Sequence, residues 1–150
     1  MKALLPALAA GLFSCAAWAA LGGPPADLAP HAVAGRSSTV TTGSAIYTVT
    51  ESTLDSGTTV RQYVDAGGTV FAVSWSGPAL PDLKALLGAH FDTMVAYADA
   101  RRTGQRSRLA LRRSDVVITT AGHMGALEGR AWVPSKLPIG FDPKAPRWPS

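Results

Sequence analysis

The segment YVDAGGTVFAVSWSG, residues 63–77, decides the fold. Thr69 to Trp75 is apolar in both registers: Val70 and Ala72 alternate with Phe71, Val73 and Trp75. A strand carries that pattern when both sides of its sheet are covered, so this one belongs at the sheet's centre. Ahead of it stands Gly67-Gly68, which a phosphate-binding loop also requires. Such a loop leads from a strand into a helix whose N-terminus faces the anion. Here the pair leads into a strand, so it is expected to turn a hairpin.

Working toward the N-terminus, Thr58 to Val64 alternates, with Val60, Gln62 and Val64 opposite Arg61 and Tyr63. Asp55-Ser56-Gly57 separates it from another alternating stretch beginning near Ser44, with Ala45, Tyr47 and Val49 on one face. Both separators are short and rich in turn formers, which predicts a three-stranded meander. Toward the C-terminus, Pro81 and Asp82 suit a helix start. Leu83, Leu86, Leu87, Phe91, Met94, Val95 and Ala98 then recur at three- and four-residue spacing. That stripe predicts one amphipathic helix to about Ala100, weakened at Gly88, lying on the meander. Leu109 to Thr120 reads as a strand broken near Ser114-Asp115, Gly122 to Gly125 as a turn, and Gly129 to Val133 as a last strand. The expectation is an α+β domain, mostly antiparallel, in the order β-β-β-α-β-β.

The ends read differently. MKALLPALAAGLFSCAAWAA has a basic start, a short apolar run and a small-x-small site at Ala17-Trp18-Ala19, which predicts an export signal over 1–19 cleaved before Ala20. The alternative is a lipoprotein anchored at Cys15, the only cysteine, in a partial lipobox. The run is too short to span a bilayer, so an integral membrane protein is not expected. Residues 20–43, rich in Gly, Pro and Ala early on, are expected to be a flexible segment before a domain at 44–134. Residues 135–150 are expected to be a Pro-rich tail, because Pro lacks the donor that helices and ladders need.

Several of these segments together resemble a bacterial family of domains of unknown function, family 2844. Val70-Phe71-Ala72-Val73-Ser74-Trp75, Pro81-Asp82-Leu83, Leu87-Gly88, Gly122-His123-Met124 and Gly129-Arg130-Ala131 carry the resemblance, which runs from about Ala20 to Gly140. It implies an exported bacterial protein and brings no activity with it. In that pattern an aromatic and a basic residue usually follow His-Met, where this chain has Gly125, Ala126 and Leu127.

No catalytic residue is assigned. Asp55-Ser56-Gly57 matches the aspartic-protease signature but follows Glu51-Ser52-Thr53 rather than an apolar strand, and a hairpin turn explains it. Ser74 and Ser76 flank Trp75 without the glycines of a nucleophile elbow. His90, Met94, His123 and Met124 make a copper-like His/Met site conceivable, as a small metal protein or enzyme. The ordinary reading, core packing for Met94 and a turn for His123-Met124, leaves no metal or cofactor. The one charge asymmetry is Arg101, Arg102, Arg106, Arg108, Arg112 and Arg113, six arginines in 13 residues without an acid. Removing Lys2 with the signal leaves 13 basic against 10 acidic residues. The expected function is therefore a small exported binding or accessory domain. Its contacts would run through these arginines and the His123-Met124 turn to an envelope protein or anionic surface polymer. Nucleic acid is not an expected partner, because no aromatic interleaves with the arginines.

Overall fold

A computed structural model describes residues 21–101 and 108–149. Seven strands form one antiparallel sheet: β1 (Ala32–Thr42), β2 (Ala45–Leu54), β3 (Thr59–Asp65), β4 (Val70–Gly77), β5 (Leu109–Arg112), β6 (Val117–His123) and β7 (Ala126–Trp132). Their order across the sheet is β1-β2-β3-β4-β7-β6-β5. The expected meander is β2-β3-β4, and β4 is the middle strand of the seven. Both expected turns form: Gly57 and Gly68 have φ of +84° and +82°, and Asp65 Oδ1 accepts hydrogen bonds from the Gly67 and Thr69 amides.

The strand count exceeds the expected order in two places. Leu109–Arg112 and Val117–His123 are not one broken strand but two arms of a hairpin, closed by Arg113 N–H donating to the Val116 carbonyl. Ala32–Thr42, expected in a flexible segment, is an eleven-residue strand paired along β2. Its side chains are almost all exposed, so no apolar pattern announces it.

β4 does not alternate as its sequence suggests. The β3–β4 register shifts by one residue between Tyr63 and Val64, because Phe71 is bulged. Two residues on a bulged strand oppose one on its partner, so Phe71 and Ala72 both belong to one side. Val70, Val73 and Trp75 belong to the other. Each side has its own core.

On the first side lies the helical segment, 18 residues from Leu83 to Ala100. It is not one unbroken helix. α1 (Leu83–Leu87) begins at Asp82, whose carboxylate caps the Ala85 amide at 3.0 Å, and it stops at Gly88. Gly88 has φ +53°, ψ −125°, which no α-helix accommodates. A 3-10 turn follows, then α2 (Phe91–Ala100). Leu86, Leu87 and Met94 are buried against Val60, Val73, Trp75 and Ile118, whereas Val95 and Ala98 of the expected stripe are exposed. The N-terminal segment completes this layer with Leu21, Ala26 and Leu28. Gln62, buried between them, clamps it: the Ala26 amide donates to Gln62 Oε1 at 2.7 Å, and Gln62 Nε2 donates to the Ala26 carbonyl at 3.0 Å.

On the second side Tyr47, Tyr63 and Phe71, from three adjacent strands, meet Phe141 and Trp148 in edge-to-face and tilted contacts at 5.2–6.4 Å between ring centres. The proline-rich C-terminal residues thus form a strap across the sheet. Prolines exclude a ladder but not burial, and two aromatic anchors hold the strap down.

Candidate functional site

The strap leaves part of its face uncovered. Strand registers place Arg36, Glu51, Arg61, Ser74, Arg130, Thr119 and Ala110 in one row across all seven strands, beside the strap. The next row is Thr53, Thr59, Ser76, Glu128 and Ala121. These positions alternate with the buried residues of the helical side, so polarity there is free of the core. Between them and the strap runs an open groove of about 770 Å³ lined by Arg61, Ser74, Ser76, Thr119, Glu128, Arg130 and Arg147, with Trp148 and Tyr63 at its strap side.

Its charges are held in place. Glu51 accepts from Arg61 Nε at 2.6 Å and from Arg36 Nε at 3.0 Å. Burial alone would raise the Glu51 carboxyl, but the hydrogen bonds and charges of Arg61 and Arg36 outweigh it and lower its pKa. Arg130 reaches the strap, donating to the Ala145 and Pro146 carbonyls at 2.6 and 2.5 Å while its guanidinium lies 5.1 Å from the Trp148 ring centre. Tyr63 Oη donates to the Pro149 carbonyl at 2.9 Å, and burial pushes its phenol pKa up. Arg147 is exposed, and among the described residues its guanidinium has no hydrogen-bond or ionic partner. The lining holds three guanidiniums against one carboxylate. Arg61 and Arg130 are already engaged by Glu51 and the strap carbonyls, so their remaining N–H groups and the Arg147 guanidinium are what an incoming carboxylate or phosphate would meet.

Of the arginines singled out by sequence, Arg102 and Arg106 lie outside the described residues. Arg101 ends α2, its guanidinium 4.8 Å from the Tyr97 ring centre. Arg108 is exposed just before β5, and Arg113 pairs with Asp115 at 3.2 Å. Arg112 is exposed on β5, paired with Val117 and so in the strand row of Trp132, on the groove's side of the sheet. Tyr97 Oη donates to the Ala110 carbonyl of β5 at 2.9 Å, so Arg101, set over the Tyr97 ring, lies toward the same short edge strand that carries Arg112 and adjoins Arg108 and Arg113.

His123 and Met124 stand at the β6–β7 hairpin, Met124 94% exposed. Met94 is in the core, and His90 ends the 3-10 turn between α1 and α2. His90 lies beside Gly22, its Nε2 4.0 Å from where a Cβ on Gly22 would stand, whereas His123 ends β6 at the hairpin. Met94 is buried in the helical core while Met124 is exposed, so the two thioethers do not face a common site. Among the described residues no three His, Cys, Asp or Glu side chains gather in a metal-holding group.

Sequence reasoning passed over Arg61, Arg130 and Arg147, which lie far apart along the chain. The available signal was polar alternation on strands that are otherwise core: Ser74 and Ser76 around Trp75, and Arg130 between Gly129 and Ala131. Gly129 belongs to the same device. It pairs with Trp75, and a Cβ there would overlap the indole.

The fold and groove define a seven-stranded antiparallel α+β protein with one helical layer and a strapped, polar open face. The model of a family described as protein of unknown function, DUF2844, matches residues 17–145, and the chain belongs to that family. No curated protein and no solved structure matches it. Among the described residues no helix is long and apolar enough to cross a membrane.

Proposed function

We propose that the chain is an exported, non-catalytic binding module that holds an acidic envelope polysaccharide in the groove beside the strap. The observation that carries this reading is the cross-strand row Glu51-Arg61-Ser74-Arg130-Thr119 with Arg147, which has no partner among the described residues, beside it. Guanidiniums set in a row match carboxylates repeated along a polymer. The Ser and Thr hydroxyls and Glu128 match sugar hydroxyls between them. An open groove admits a segment of a longer chain, whereas a small ligand would be better served by an enclosed pocket. Export before Ala20 would put the module where such polymers are.

The test uses alginate, a polyuronate, against neutral dextran in affinity electrophoresis and calorimetry. The chain is expected to bind alginate and not dextran, with affinity falling as salt is raised. Arg147→Ser is expected to weaken binding tenfold or more with an unchanged melting temperature. Arg101→Ser with Arg108→Ser should leave binding as it was. Equal binding by wild type and Arg147→Ser overturns the reading.

A further inference from the structure

The two edges of the sheet are built differently. β5 has four residues, flanked by Arg108 and Arg113, and short charged edges resist further pairing. β1 has eleven residues, no Pro and no Lys, and a β-favouring end of Thr39 to Thr42. Its irregularity is confined to Ala32–Ala34, leaving a straight ladder from there to Thr42. Eight of its eleven residues are exposed, and beyond the ladder to β2 it is held by Val40 against the aromatic core, the Arg36–Glu51 pair and the Ser37–Thr50 hydroxyl contact. Its single charge, Arg36, is already matched by Glu51.

From these features we propose that β1 pairs antiparallel with β1 of a second copy of this chain, about a two-fold axis at Ser37, joining two sheets into one. Ser37 is the midpoint of the strand, so this register uses its whole length. It sets Arg36 opposite the partner's Ser38 and Gly35 opposite the partner's Thr39. A two-fold axis at Arg36 would instead set two guanidiniums face to face, which is unfavourable in a cross-strand pair. A self-paired edge is isologous and closes as a dimer, without propagating, because the other edge is blocked. The groove lies beyond β2 and is left open.

The experiment is sedimentation equilibrium of the purified full chain with Ser37→Glu and Ser37→Lys, each alone and mixed in equal amounts. Ser37 is exposed, so neither substitution disturbs a core. Wild type is expected at twice the monomer mass, each variant alone at the monomer mass, and the mixture again at twice. The mixed dimer is a readout that a merely weakened strand would not produce. A monomeric wild type, single variants that remain dimeric, or a mixture that stays monomeric overturns the proposal. Alginate binding is read separately, so failure of one proposal does not imply failure of the other.

Discussion

At the scale of single residues, the strongest constraint is the contact of Gly129 with Trp75 across β4 and β7. The indole lies where a side chain on Gly129 would go, and Trp75 is 2% exposed. Gly129→Ala is therefore expected to destabilise by about 1–3 kcal/mol through overpacking, measured by urea unfolding. Combined with Trp75→Phe, it should cost less than the sum of the two, because the residues share one space. A second residue-scale expectation concerns pH. Glu51 has a folded pKa below its ordinary 4.5, so its ion pairs contribute stability fully present above that value. The contribution is lost as pH falls through the lower folded value. With Arg36 largely exposed, it amounts to about 1 kcal/mol. Glu51→Gln should be less stable than wild type at neutral pH, and the difference should shrink below pH 4.5. A difference that grows on acidification would contradict the assigned sign.

At the scale of elements, what the sequence displayed depended on which force made each element. The meander was legible because its turns carry Asp-Ser-Gly and Gly-Gly and its strands alternate. β1 was not, because a polar edge strand held by backbone bonds leaves no burial pattern. The bulge at Phe71 defeated parity by one residue, since it is set by register with β3 rather than by local composition. The helical stripe was visible, but Gly88 was read as a mild weakness when it is a break. Isolated-helix propensity would make Gly88→Ala favourable by about 1 kcal/mol. With φ at +53°, the substitution is instead expected to cost about 1–3 kcal/mol in the protein. Thermal denaturation followed by circular dichroism checks the sign. The groove was hidden for a related reason: local density drew attention to residues 101–113, while the site is assembled by strand pairing.

At the scale of the molecule, the sheet is a shared wall. β3 contributes Val60 and Val64 to the helical core and Tyr63 to the aromatic one, and β4 contributes Val73 and Trp75 to the first and Phe71 and Ala72 to the second. The strap is therefore not an appendage that can leave without consequence. Its anchor Trp148 is 8% exposed, packed edge-to-face against Tyr63 and Phe141, and covered by the Arg130 guanidinium. Trp148→Ala should remove about 3–5 kcal/mol. For one cooperative unit, that loss is spread over every element, so near-ultraviolet aromatic signals and far-ultraviolet helix signals should melt together, at a lower temperature than in wild type. If the aromatic signal instead melts early while the helix signal keeps its wild-type midpoint, the two cores are separate folding units and the wall does not couple them. Coupling also has a consequence for the groove, because its strap-side margin includes Trp148 and Arg147. The same variant should lose alginate binding even at temperatures where its helix signal is fully native, since Arg130 would no longer have the ring against which it is set.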